Sequence, residues 1–120
     1  MSTNDTYLAI FTGTQAGRDA WHAMPETERK AREEKGMAAW KGWMDKHGDA
    51  VVAVGGPLGR TKRITRDGIR DVRNELGAFT VVRAASHDAA AKMFEGHPHF
   101  TIFPGEAVEV MPILPIPGAP

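Results

Sequence analysis

The sequence predicts an α+β domain in which two helices lie on one face of an antiparallel sheet. The first observation is order: short apolar runs alternate with helical patterns as strand, helix, strand, hairpin, strand, helix, strand. The second is an Asp67-Gly68 pair between two β-compatible runs, the strongest short-range hairpin signal. The third is that the first and fifth strands are apolar on both faces, Tyr7/Ala9/Phe11 against Leu8/Ile10 and Ala78/Val82 against Phe79/Val81. Leaving the hairpin aside, the order is βαββαβ, a ferredoxin-like split βαβ arrangement with an extra β-hairpin. Helices cover one sheet face, so the second apolar face calls for another cover, and a second copy of the chain supplies it as a homodimer.

Each element has a local reason. Tyr7 to Phe11 is rich in aromatic and branched residues and closes at Thr12-Gly13-Thr14, which suits a central strand. Residues 13 to 25 carry Gly13, Gly17 and Pro25 without a clean period and read as a loop with a helical turn near Asp19 to Ala23. Pro25 with Glu26 and Glu28 opens a helix to about His47, since the ring has no N–H to leave unpaired and the acids face the positive end of the dipole. Met37, Trp40 and Met44 give that helix its burying stripe, and Gly36 in its middle implies a close packing neighbour or a bend. Val51 to Val54 is a strand that stops at Gly55-Gly56-Pro57. The hairpin follows at residues 61 to 66 and 69 to 73, its turn read as type I′, and residues 78 to 83 form the next strand. Ser86 caps a helix from His87 to Glu95 that stops at Gly96, and residues 106 to 113 close the sheet. Residues from about 114 to 120 form a proline-rich tail on a single domain spanning 1–120.

Charge and composition exclude several classes. Fifteen basic residues balance 15 acidic ones over 120 residues, which argues against a globally basic nucleic-acid binder. The absence of cysteine removes thiol chemistry and a disulfide scaffold, and it fits a reducing, cytoplasmic setting. No run approaches the roughly 20 apolar residues of a membrane span, and the start lacks a signal-peptide pattern. Zero net charge hides a local excess: residues 60 to 73 hold six Arg or Lys and two Asp. That basic hairpin can meet phosphates, but no aromatics interleave with its charges, and basic edges also guard against sheet aggregation. Nucleic acid is therefore not the expected partner.

The candidate chemistry centres on histidine. His97-Pro98-His99 follows a helix C-terminus, where the dipole raises an imidazole pKa, and an extended segment would turn both rings the same way. His97 is accordingly the candidate general acid/base, with His99 beside it; the plain alternative is that His97 caps helix carbonyls while His99 is solvated. Asp71 is the candidate orienter of His97. Trp40 and Met37 are candidates to line an apolar substrate pocket, or are simply core. Arg60, with Lys62, can hold a substrate carboxylate. Glu109, between two valines, matters only on a buried face, where Arg83 would pair with it. Two histidines offer too few ligands at motif spacing, so no metal and no cofactor are expected. His22, His47 and His87 are dispersed and read as surface or capping residues.

The Val-Gly-Gly-Pro-Leu run at 54 to 58, Leu-Gly-Ala-Phe-Thr-Val-Val at 76 to 82, His97-Pro98 and Val-Glu-Val-Met-Pro at 108 to 112 occur in an order and spacing that resembles the YCII-related (YciI-like, DGPF-type) domain family. The resemblance covers nearly the whole chain and implies a ferredoxin-like domain paired as a dimeric α/β barrel. It also implies small-molecule chemistry: some members hold a His and Asp pair in a sheet–helix cleft, and one relative is a dehydrochlorinase. This chain has Met37 where those members have the histidine and His97-Pro98 where they have Asp-Pro, and it lacks the Asp-Gly-Pro-Phe signature. The expected function is a cofactor-independent enzyme using His97 on a small substrate; the alternative is a non-catalytic ligand-binding or accessory dimer.

Overall fold

In the computed structural model, which describes residues 5–118, four strands form the main sheet: β1 (Asp5–Thr12), β2 (Val51–Pro57), β5 (Leu76–Ala84) and β6 (Ala107–Pro112). Their spatial order is β2-β5-β1-β6 and every adjacent pair is antiparallel. This is the split βαβ arrangement, with β5 inserted between β1 and β2. The hairpin strands β3 (Thr61–Thr65) and β4 (Gly68–Val72) form a separate two-stranded sheet. Residues 1–4, on which the signal-peptide reading rests, and 119–120, the end of the proline-rich tail, lie outside the described residues.

The helices are α1 (Gln15–Ala23), α2 (Glu26–His47), α3 (His87–Lys92) and α4 (Pro98–Thr101). The first corrects the expected loop. Thr14 accepts the Gly17 amide at 3.0 Å, an N-cap that starts a helix despite two nearby glycines, and Trp21 is its buried anchor. Helix α2 begins and ends where expected, but its burial differs: Trp43 is in the core, Trp40 is half-buried and Met37 is 65% exposed. Ser86 caps α3 by accepting the Ala89 amide at 3.0 Å, although the helix stops at Lys92 rather than Glu95. The stretch after it is not extended, since His97 is the N-cap of α4.

Alternation along β1 sends Tyr7, Ala9 and Phe11 under the helices, where Trp43, Val82, Ala90 and Phe94 complete the core. Trp43 Nε1 donates to the Met93 carbonyl at 2.7 Å and so ties α2 to the end of α3. Gly36 has the close neighbour expected: a Cβ there would meet the Phe103 ring. Leu8, Ile10 and Val81 lie half-buried on the opposite face beside the exposed Met111, and the molecule is only 18 Å through its thinnest dimension. The type I′ turn expected at Asp67-Gly68 does not form: Thr65 pairs with Gly68, which puts Arg66 and Asp67 at the tip, and positive φ falls on Gly68 alone, at 121°.

Candidate functional site

An apolar cleft of about 560 Å³ opens between α2 and the β2–β5 edge of the sheet. Phe11, Met37, Trp40, Met44 and Phe103 line one side, and Val54 to Pro57 with Ala78 to Thr80 line the other. Strand β2 is shaped for this by an irregular register between Ala53 and Gly56, where Gly55 takes φ +68° and Thr80 Oγ1 donates to the Val54 carbonyl at 2.9 Å. Lys41 stands among the lining residues as the cleft's cation.

His97 sits behind the aromatic wall of this cleft. It is 1% exposed, and its ring lies nearly perpendicular to Trp40 at 4.5 Å between centroids, with Phe11 at 5.2 Å and Trp43 at 5.1 Å. Its Nδ1 accepts the His99 amide at 3.0 Å, so in the neutral ring Nε2 carries the proton. That Nε2 is buried without a hydrogen-bond partner, an arrangement that costs about 1–3 kcal/mol. Burial, then the proximity of His99 and His47, lowers the pKa to about 4. This reverses the expected shift: the ring is removed from water, and α3 ends at Lys92, so His97 stands at the N-terminal end of α4 and not at a helix C-terminus.

His99 is half-buried rather than solvated. Its Nε2 donates to the Thr12 carbonyl at 2.7 Å and pins the end of β1. Burial lowers its pKa, while hydrogen bonding to the backbone of Thr12 and Ala107 pulls the other way. The two rings have different tasks, one capping α4 and the other anchoring a strand, because the helical turn at Pro98 separates them.

Among the other candidates, Trp40 and Met37 both line the cleft. Asp71 does not reach the histidines: its Oδ1 takes Lys62 Nζ at 2.7 Å, and His97 has no hydrogen-bonded orienter at Nε2. Arg60 lies with Asp71 in a second, polar cleft beside the hairpin. Glu109 is exposed opposite Ile10 on the uncovered sheet face, and among the described residues it makes no ion pair with Arg83. The described residues hold no cluster of three or more His, Asp or Glu able to bind a metal, and no helix long and apolar enough to cross a membrane.

Sequence reasoning missed Phe103 and the β2 bulge as cleft walls. Gly36 was the available signal for the first, since a glycine inside a helix marks close approach.

The architecture defines a class of fold, a ferredoxin-like α+β domain with helices on one side of an antiparallel sheet. A solved structure shares it: the 5-chloro-2-hydroxyhydroquinone dehydrochlorinase TftG from Burkholderia phenoliruptrix, in complex with 2,5-dihydroxybenzoquinone. The two superpose with a TM-score of 0.51 over 88% of this chain and 89% of that one, at 17% sequence identity. No family model matches the sequence, and no curated protein matches it.

Proposed function

We propose that this protein acts on a small, flat, largely apolar molecule bearing a carbonyl or phenolic oxygen, held in the cleft beneath α2. The observation that carries the reading is the buried His97 imidazole, whose unpartnered Nε2–H lies behind the aromatic wall of an apolar cavity. A ring of the size held by TftG fits within such a volume and would stack on Trp40 or Phe11.

At neutral pH His97 is uncharged, so it is a poor proton store. It is instead a fixed hydrogen-bond donor in a dry setting, which suits polarisation of a carbonyl or stabilisation of a developing oxyanion. His99 holds its partner in one tautomer by donating its backbone N–H to Nδ1. Lys41 would attract an ionised phenol to the cleft. The protein would be a single-domain, cytoplasmic homodimer of the YCII-related family, its half-buried Leu8, Ile10 and Val81 covered by the second copy.

A second reading is favoured by one observation. His97 is 1% exposed, so a ligand reaches Nε2 only if Trp40 or Phe11 shifts; without that movement the protein holds its ligand and does not transform it. Calorimetric titration with 2,5-dihydroxybenzoquinone as the probe tests both. The wild type should bind saturably and Trp40→Ala should weaken binding about tenfold or more. No binding, or equal binding by the Trp40→Ala chain, rejects the cleft. If His97→Gln changes neither the affinity nor the chemical fate of the probe, the imidazole has no part and the non-catalytic reading stands.

A further inference from the structure

A second cleft, of about 740 Å³, begins one residue beyond the first along both strands: Pro57 and Ala78 line the apolar cleft, Leu58 and Gly77 this one. Its character is mixed and far more polar, although Leu58, Val72 and Leu76 also line it. Arg18 from α1, Arg60 from the loop after β2 and Arg73 from the end of the hairpin all face it, with Gln15 and Asn74 between them. Asp71 also lines it, but its carboxylate is engaged by Lys62 at 2.7 Å. Among the described residues, no carboxylate pairs with Arg18, Arg60 or Arg73.

Two of these guanidinium groups converge on one atom. Arg18 Nη2 lies 3.4 Å and Arg73 Nη1 3.5 Å from Gln15 Oε1, although the first is on a helix and the second is far along the chain. The amide is turned to present that oxygen because its Nε2 donates to Asp19 Oδ1 at 2.8 Å. Arg18 is further fixed by donating from Nη1 to the Gly13 carbonyl at 3.2 Å. Two like charges thus share a single neutral acceptor at long distance, with the Asp19 carboxylate held on the other end of that amide and not on either guanidinium, which leaves most of their N–H donors free. An oxyanion between them would remove the repulsion and fill the planar donor forks, the geometry for which arginine is suited and lysine is not.

We infer that this cleft is a binding site for the oxyanion of a small molecule, a phosphate or carboxylate group held between Arg18 and Arg73, with Arg60 closing the third side. The site is separate from the histidine cleft, so its failure leaves the reading of that cleft untouched. It is also compact and shared between α1 and the base of the hairpin, whereas a nucleic-acid track would run along the hairpin's outer charges to Arg66 at its tip.

Calorimetric titrations of the full chain with inorganic phosphate and with acetate test the inference. At least one should bind saturably and weaken as salt rises; a response to phosphate alone assigns a phosphoryl group, and to acetate alone a carboxylate. Arg73→Gln and Arg18→Gln should each lower the affinity about tenfold or more, and Arg73→Lys should restore only part of it. Arg66→Gln should change nothing. Because Arg18 also supports the Gly13 carbonyl, the exposed Arg73 pair decides the matter if Arg18→Gln fails to fold. No saturable binding of either anion, or an equal loss in Arg66→Gln, overturns the site. So does a single-stranded oligonucleotide that binds far more tightly than phosphate and is weakened as much by Arg66→Gln as by Arg73→Gln.

Discussion

Urea unfolding of the wild-type chain is expected to show a loss of stability between neutral pH and pH 4 of which His97 alone contributes roughly 3 kcal/mol. In the folded chain this imidazole stays neutral until about pH 4, whereas an unfolded histidine takes its proton near 6.5. Between those values the unfolded chain binds more protons, so acid favours unfolding. The contribution is fully present above about pH 6.5, falls as pH drops through the window, and falls no further below about 4. His99 and His47 are lowered in the same direction and add to the slope. His97→Gln cannot titrate and keeps an oxygen able to accept the His99 amide, so its stability should be much flatter across the window. Direct titration of the His97 ring by NMR in the wild type gives an independent check. A midpoint near 6.5 would show that the ring is not held in the dry pocket described.

Gly55→Ala should be among the most damaging single-methyl changes, costing about 3 kcal/mol and abolishing ligand binding in the apolar cleft. Gly55 has φ +68°, a region that an L side chain enters only with strain, and its added Cβ would run into the carbonyl oxygen of Phe79. That oxygen belongs to the backbone of the neighbouring strand and cannot rotate away as a side chain could. Relief requires β2 to pull off β5, which also moves Val54, Gly56 and Pro57 from the cleft wall. The neighbouring Gly56→Ala meets nothing within 4 Å and is the internal comparison. Thermal unfolding midpoints of the two variants should differ by several degrees, with Gly55→Ala much the lower. Equal midpoints would show that the bulge is not held rigidly.

Much of the fold was legible because its signals are local. Ser86, three residues before the amide it caps, and Asp67-Gly68 between branched runs need no distant partner to act. Gly36 was informative for the same reason: its cost in a helix has to be offset by something, and Phe103 is what lies against it. Helix α1 was legible only as a turn near Asp19 to Ala23, because Gly13, Gly17 and Pro25 read as breakers around it; its amphipathic patterning and the Thr14 cap were the signals that outweigh them. The site was legible only in its residue types. His97, Trp40 and Met37 were identifiable, but the direction of the His97 shift was not, since a helix end in sequence says nothing of the Trp40, Trp43 and Phe11 rings that close over it. Likewise Arg60 stood out within a basic run, while its convergence with Arg18 and Arg73 is a product of tertiary folding alone.

The strand order has a consequence for how the chain is assembled. Strand β1 comes first, yet both its edges are paired with strands from the second half of the chain, β5 and β6. As the polypeptide emerges from a ribosome, α1, α2, β2 and the hairpin are all complete before either ladder partner of β1 exists. Tyr7, Ala9 and Phe11 therefore wait without their strand neighbours through most of synthesis, and the core closes late, over long loops. Until β5 and β6 are made, both edges of β1 stay open, which is the condition under which an unpaired strand is prone to pair with another chain.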